Sequence, residues 1–192
     1  REAYLIPGFA KENGKTSPAR LYRAAYFPSN WEPVVEIVDA DHACLDTIVF
    51  PYDNRWWAIM GSGNNDELRV YFNDTLESPN WNPHPKNPVV SNRIQAGRPA
   101  GRPLVQDKIT LFLQDSKEEY GSGVRAYEVT ELTPTAYSDS PLFTEPILEG
   151  TEGIGWNSGR MHHIDIRESD DEIYCAVDGD VGCGRNRISG SM

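Results

Sequence analysis

Charged side chains and histidines stand at the starts of three apolar, strand-like segments of this chain. Asp46 precedes the first segment, Arg98–Arg102 precedes the second, and His162–His163, followed by Asp165, opens the third. A carboxylate can serve as a general base, as a nucleophile or as a hydrogen-bond acceptor for sugar hydroxyls. Guanidinium groups hold carboxylates and phosphates, and a histidine exchanges protons near neutral pH. If the fold brings these groups together, they form a polar site.

The segments that follow these groups repeat one design: a strand, a tight polar turn and a second strand rich in aromatic or aliphatic residues. The turns lie near Asp53, Asp107 and Asp171, which are 54 and 64 residues apart. Such spacing is typical of β-propeller blades, which contain four antiparallel strands each. The innermost strands of a propeller line its central channel, so the residues that open them converge although they are distant in sequence. The sequence therefore predicts an all-β propeller with a polar funnel.

The strand pattern also predicts the extent of the domain. The 192 residues hold about thirteen predicted strands, which correspond to between three and three and a half blades. We expect one propeller domain over residues 1–180, lacking its N-terminal blade, and a Gly-rich tail over residues 181–192. An open propeller exposes unpaired strand edges. We therefore expect another chain or segment to complete it.

The composition limits the classes of partner. The net charge is −11 and the isoelectric point is near 4.8, which disfavours nucleic acid and anionic membrane surfaces. A neutral or cationic ligand is easier to accommodate. The alternative is that the negative charge serves solubility alone. No stretch approaches the roughly 18 apolar residues of a membrane-spanning helix. The sequence also lacks a Gly-Lys phosphate loop, a nucleophile elbow and a Cys-x-x-Cys pair, so we expect neither a metal nor a cofactor.

Each candidate site residue has a structural alternative. Asp46 could accept backbone N–H bonds in a turn, and Arg98 or Arg102 could form a structural ion pair with it. His162 and His163 are adjacent, so only one of them faces the channel if they lie on a strand. We expect Asp46 to be the catalytic residue. We expect substrate to contact the two arginines, the two histidines and Asp165, whose carboxylate shares a face with His163.

One aromatic residue is a further candidate for substrate binding. Most aromatic side chains alternate with core positions and are expected to be buried. Trp156 lies in the polar, Gly-rich segment Gly153–Gly159, where an indole ring could stack against the apolar face of a sugar.

Two features favour a secretory or extracellular location. Cys175 and Cys183 could form a disulfide, although buried free thiols are the alternative. Asn73–Thr75 matches the N-glycosylation sequon. The chain opens on Arg1 rather than on a signal sequence, as expected of a mature segment or a fragment. A cytoplasmic location stays open.

Several strings of the sequence resemble a known family. They are Tyr4–Pro7, Leu21–Arg23, Phe27–Pro28 with Trp31, Trp81–Val90, Arg98–Arg102, Gln114–Asp115, Tyr120–Gly121 and Glu128–Pro134. Together they resemble the propeller domain of the glucosamine inositolphosphorylceramide transferase N-terminal family, over about Ala3 to Val177. That domain is similar to the five-bladed propellers of glycoside hydrolase families 32, 43 and 68.

The resemblance implies a five-bladed propeller whose funnel acts on or holds a glycan, either as a glycoside-hydrolase-like or as a glycosyltransferase-associated domain. In the hydrolase relatives a triad of carboxylates on inner strands carries catalysis, and Asp46 resembles one such position. Arginines and histidines open the later units. A glycosidase needs two carboxyl groups about 5 to 10 Å apart, and Asp46 is the one clear candidate. The alternative is therefore a non-catalytic module for glycan binding or assembly, with a structural polar network in its funnel.

Overall fold

The computed structural model describes residues 2–8, 18–38, 42–151, 153–169 and 172–182. Within these residues the fold consists of fourteen β-strands without an α-helix. The strands form four antiparallel sheets that follow one another along the chain. The predicted all-β class is confirmed. Many turn residues and period-2 apolar patterns account for it, because both favour hairpins over helices.

The first two sheets are built from consecutive hairpins. The first contains β1 (Tyr4–Leu5), β2 (Ala19–Tyr26) and β3 (Ser29–Val38). The second contains β4 (Leu45–Tyr52), β5 (Arg55–Ser62), β6 (Glu67–Asn73) and β7 (Asn82–Pro83). The predicted turn near Asp53 joins β4 to β5, and Asp53 and Asn54 have φ values of 49° and 57°. Both values lie in the left-handed region that two-residue hairpin turns require.

The third sheet repeats this order, and the fourth is a single hairpin. The third contains β8 (Leu104–Val105), β9 (Ile109–Asp115) and β10 (Gly123–Leu132), with β11 (Tyr137–Pro141) and β12 (Leu148–Glu149) both paired to β10. The fourth contains β13 (Ile164–Ser169) and β14 (Glu172–Val177). The predicted turn near Asp107 joins β8 to β9, whereas the one near Asp171 lies outside the described residues.

Three apolar cores separate the four sheets. The first and second sheets enclose a core that contains Leu21, Ile37 and Met60. The second and third enclose a larger one built from residues such as Trp57 and Leu111. The third and fourth enclose a smaller core, whose members are Ala100, Phe112, Val124, Ala126 and Ile164. Each sheet therefore packs face to face against the next.

The packing explains why β5 is apolar along almost its whole length. Side chains of a strand alternate between the two faces of its sheet. Trp57 and Ile59 point into the core shared with the third sheet, whereas Ala58 and Met60 point into the core shared with the first. A strand with both faces covered has no position for a solvated residue.

The string Trp81–Val90 has a structural role at the edge of the second sheet. The Asn87 side chain accepts a hydrogen bond from Val70 N at 2.8 Å and donates one to Val70 O at 2.7 Å. Its amide thus replaces a neighbouring strand for one residue of β6. His84 is buried, and its Nδ1 accepts a hydrogen bond from Lys86 N at 3.2 Å. At the end of this string, Val90 forms a single antiparallel bridge with Leu68.

Candidate functional site

The starts of the three units meet at one cavity of about 320 Å³. Its wall comes from the N-terminal segment, the start of β4, the segment before β8 and the start of β13. The lining residues are Ile6, Gly8, Asp46, Thr47, Ile48, Gly101, Arg102, His163 and Asp165. Four of the seven predicted site residues thus share one cavity, as the repeat predicted.

Asp46 is aimed by an irregularity at the beginning of β4. The register of β4 against β5 shifts between Leu45 and Ile48, and Asp46 has a φ of 47°. Bulges redirect side chains, and Asp tolerates the left-handed region better than most residues. One carboxylate oxygen, Oδ2, accepts hydrogen bonds from Arg98 Nε and Gln114 Nε2, both at 2.7 Å. Within the described part of the chain, Oδ1 has no hydrogen-bond partner.

Arg98 stands behind Asp46 and is mostly buried. Besides its bond to the carboxylate, its Nη1 donates to Asn65 Oδ1 at 3.0 Å. The guanidinium carbon lies 5.3 Å from the centre of the Tyr120 ring, within cation–π range. Arg98 does not line the cavity. Its contacts show a residue that orients Asp46 and compensates its charge.

Gln114 is the second residue that fixes Asp46. It is 1% exposed and lies on β9 among apolar neighbours. Its Nε2 also donates to Pro99 O at 3.0 Å. Its Oε1 is buried and finds no partner among the described residues. Both amide protons are therefore committed to holding the carboxylate and the segment before β8.

The segment Arg98–Arg102 joins the second, third and fourth sheets. Ala100 is fully buried in the core between the third and fourth sheets, and its carbonyl accepts a hydrogen bond from Ile164 N at 2.7 Å. Gly101 has a φ of 140°, and a Cβ there would lie 1.9 Å from Ile164 O. The small residues thus allow the backbone of this segment to approach the backbone of Ile164 closely. Arg98 and Arg102, at the two ends of the segment, pair with Asp46 and Asp165, respectively.

Arg102 forms a two-point ion pair with Asp165 on the cavity wall. Its Nε and Nη2 donate to the two carboxylate oxygens at 2.8 and 2.9 Å. The hydrogen bonds from Arg102 to Asp165 raise the pKa of the guanidinium above its ordinary value. Asp165 supplies a second carboxylate to the cavity, but both of its oxygens are occupied. With Asp46 paired to Arg98, the cavity carries paired rather than excess charge.

The two histidines separate as their adjacency predicted. His163 lines the cavity, and its side chain lies on the same side as Asp165. His162 does not line it. Its Nδ1 lies 2.6 Å from Asp178 Oδ2, and its ring centre is 5.3 Å from that of Tyr120. The backbone N–H groups of both histidines donate to Asp178 Oδ1, which fixes the entry into β13.

Trp156 lies apart from this cavity. Its side chain is 58% exposed, and the loop that carries it packs near Gly179, where a Cβ would lie 2.7 Å from the indole ring. The exposure agrees with a position at a rim. The proposed contact with sugar stays a prediction. Cys175 is exposed on β14, and Cys183, its predicted partner, lies outside the described residues.

Sequence reasoning did not identify Gln114, Asn65 and Thr47 as site residues. Thr47 lines the cavity, and its Oγ1 is buried without a partner among the described residues. A signal for Gln114 was present, because a polar residue interrupts the apolar strand Ile109–Leu113. Asn65 lies in a turn and gave no such signal.

The chain matches a family model over residues 1–180, described as "Glucosamine inositolphosphorylceramide transferase 1, N-terminal". The chain belongs to this family. Two relatives named "Glucosamine inositolphosphorylceramide transferase 1", from Oryza sativa subsp. japonica and Oryza sativa subsp. indica, are each 31% identical over 189 residues. The matches cover 93% of this chain and 24% of each relative. The chain therefore spans about a quarter of their length.

Two further findings concern structure. No solved structure matches this family member at a significant level. The described residues contain no helix that is long and apolar enough to cross a membrane.

Proposed function

We propose that this chain forms part of a five-bladed propeller and holds a glycan or glycoconjugate in the cavity that contains Asp46. The observation that supports this most is the convergence of Asp46, Arg102, His163 and Asp165 on one cavity. Asp46 lies at the start of β4, Arg102 lies before β8, and His163 and Asp165 lie at the start of β13. Their charges are compensated by pairing, so the cavity offers hydrogen-bonding groups without a strong preference for an ion.

The hydrogen-bonding groups suit a ligand rich in hydroxyls. Asp46 Oδ1 is an open acceptor, and the Thr47 hydroxyl is buried without a partner within the described residues. His163 is exposed and can donate or accept. A sugar hydroxyl does both, so it can satisfy each of these groups in turn. The net charge of −11 disfavours an anionic glycan at long range.

Binding is favoured over hydrolysis by the state of the two carboxylates. A glycosidase needs one carboxyl group as acid and another as base or nucleophile. The Arg102 fork donates to both oxygens of Asp165 and holds this carboxylate in an ion pair, whereas Asp46 Oδ1 has no hydrogen-bond partner among the described residues. A glycoside-hydrolase-like activity is the second candidate, because two carboxylates do line the same cavity.

The propeller proposal rests on the stacking of the sheets. Four consecutive sheets, each packed face to face on the next, have the arrangement of successive blades. The outer strand β14 is exposed along its whole length in the described residues. We propose that another chain or segment supplies the remaining blades. About three quarters of the length of each relative lies outside the match.

The family suggests the setting of this binding. The rice relatives are named as glucosamine inositolphosphorylceramide transferases, so we propose that this domain assists glycosyl transfer in glycolipid synthesis by holding a glycan. Such a role fits a location in the secretory pathway.

Glycan-array binding and turnover assays on the wild-type chain, Asp46→Asn and Asp107→Asn test this proposal. Asp107 is an exposed turn residue and serves as the matched control. We expect glycan binding without turnover, weakened in Asp46→Asn and unchanged in Asp107→Asn. Turnover that disappears in Asp46→Asn while binding persists supports the hydrolase-like candidate. Absence of binding to any glycan contradicts the proposal.

A further inference from the structure

A second and larger cavity lies on the third sheet, away from Asp46. It has a volume of about 790 Å³ and is lined by Ile94, Lys117, Arg125, Leu142, Phe143 and Thr144, among others. This size is ordinary for a small-molecule site. We call it the Phe143 cavity. None of its lining residues lines the cavity of Asp46.

Neighbouring residues of β9 contact a lining residue of each cavity. Gln114 and Asp115 are neighbours on this strand, so their side chains point in opposite directions. Gln114 reaches Asp46 at 2.7 Å, whereas Asp115 Oδ2 accepts a hydrogen bond from Arg125 Nε at 2.5 Å. A ligand in the Phe143 cavity therefore does not need the groups that hold Asp46.

Two cationic side chains, Lys117 and Arg125, line the Phe143 cavity. Arg125 donates its Nε to Asp115 and its Nη1 to Thr144 O at 2.6 Å. Within the residues that the structure describes, its Nη2 and the ammonium of Lys117 have no hydrogen-bond partner. The backbone N–H of Lys117 donates to Asp115 Oδ1 at 2.9 Å, which fixes where this lysine leaves the sheet. Among the described residues that line this cavity, none carries a carboxylate.

Another part of the lining is apolar. Phe143 is 60% exposed and Leu142 is 42% exposed, and Ile94 also lines the cavity. The wall is fixed at both ends, because Leu142 N donates to Ala126 O at 3.0 Å and Thr144 O accepts from Arg125. Exposed aromatic and aliphatic side chains on a fixed loop are typical of a binding surface.

We propose that the Phe143 cavity binds a ligand that joins one anionic group to a ring or other apolar body. The anion contacts Lys117 and Arg125 Nη2, and the ring lies against Phe143 and Leu142. Carboxylates and phosphates share the chemistry that the cations recognise. The apolar wall selects against a free inorganic anion, and the cations select against a neutral ring.

Four ligands separate the requirement for an anionic group from the requirement for a ring. They are phenyl phosphate, benzoate, phenyl β-D-glucopyranoside and inorganic phosphate. Their binding to the 192-residue chain is followed by chemical-shift changes in NMR spectra and by calorimetry. The variants are Lys117→Gln and Phe143→Ala. Their matched controls are Lys86→Gln, an exposed lysine elsewhere, and Phe27→Ala, an exposed phenylalanine on the first sheet.

We expect phenyl phosphate or benzoate to bind more tightly than the neutral glucoside and inorganic phosphate, with the stronger of the two identifying the anion. Lys117→Gln and Phe143→Ala should each weaken that binding by about fivefold to tenfold, and the controls should not change it. The proposal is overturned if neither ring anion binds, if the neutral glucoside or inorganic phosphate binds as tightly as the ring anion, or if both cavity variants bind like the wild type. These outcomes are independent of the glycan assays, which concern Asp46.

Discussion

The Asp46 carboxylate is held through one of its two oxygens. Arg98 and Gln114 both donate to Oδ2 and fix the orientation of the group, whereas Oδ1 has no partner among the residues that the structure describes. A residue fixed in this way can bind a hydroxyl at little additional cost in side-chain entropy. The supporting residues should therefore affect ligand binding without touching ligand.

Replacing Gln114 tests this support. Gln114→Leu has nearly the same volume but removes both donated hydrogen bonds, which leaves Pro99 O unpaired and releases one side of Asp46. We expect glycan affinity to fall by about tenfold and the free energy of unfolding to fall by about 1 to 3 kcal/mol. Calorimetric binding and chemical denaturation measure the two effects.

Gln106→Leu is the matched control for this change. The Gln106 side chain is exposed and donates to Glu168 on the fourth sheet. Gln106→Leu should change neither the glycan affinity nor the free energy of unfolding by a comparable amount. Glycan affinity that is equal in Gln114→Leu and the wild type would show that Asp46 does not need this support.

His84 should make stability depend on pH. Burial lowers the pKa of His84 below its ordinary value of 6.5, so the folded state favours the neutral ring. The unfolded chain binds the proton first as the pH falls. The stability that neutral His84 contributes is therefore fully present above about pH 6.5 and is lost as the pH falls through the lowered folded pKa.

The measurement is denaturant unfolding between pH 7.5 and 4.5, a range of about three units around the ordinary histidine pKa. The slope of unfolding free energy against pH should be smaller in His84→Asn, whose amide oxygen can still accept the Lys86 N–H. His163→Gln, at an exposed histidine, serves as control. An unchanged slope in His84→Asn would show that His84 does not contribute to the acid sensitivity.

At the scale of elements, the junction between the third and fourth sheets depends on a glycine. Gly101→Ala places a Cβ where it meets Ile164 O, and the backbone φ of 140° disfavours a side chain as well. We expect β13 and β14 to separate from the third sheet, with faster amide hydrogen exchange in Ile164–Ser169 and a loss of about 2 to 4 kcal/mol of stability.

Gly153→Ala distinguishes the steric contact with Ile164 O from the cost of the unfavourable backbone φ. Gly153 also has a positive φ, 121°, but a Cβ there meets no atom within 4 Å. We expect its effect to stay near 1 kcal/mol, the ordinary cost of an unfavourable φ. Equal effects of the two substitutions would mean that the close approach at Ile164 is not what joins the sheets.

Elements were predictable to the extent that their side chains alternate. The hairpin around Asp53 follows from period-2 patterns and turn residues, and the structure confirms it. The strand Ser29–Val38 continues through Pro33, because the residues before this proline also pair with β2. The Pro- and Ser-rich stretch before Pro141 contains β11, which its composition did not indicate.

The site was predictable only in part, for a related reason. Asp46, Arg102, His163 and Asp165 were identified because each begins a unit, and the fold places those beginnings together. Which arginine pairs with which carboxylate depends on a register shift in β4 and on the approach of Gly101 to Ile164. Long-range geometry of this kind leaves no mark in the local sequence, and neither did Asn65.

At the scale of the molecule, the four sheets should form an incomplete ring. The exposed side chains of β14, Ile173 at 67% and Tyr174 at 57%, are those of a sheet that another sheet would cover. Small-angle X-ray scattering of the 192-residue chain should give an open arc or an assembly of several chains. A compact, closed monomer would show that the blade count is wrong.

The central claim is that the cavity of Asp46 holds a glycan. Mapping of NMR chemical-shift changes, with the glycan that binds best on the array, tests it most directly. We expect the largest chemical-shift changes at Thr47, Gly101, His163 and Asp165. We expect Asp46→Asn to reduce all of them. Changes confined to the loop of Trp156 or to the Phe143 cavity, with none around Asp46, would contradict it.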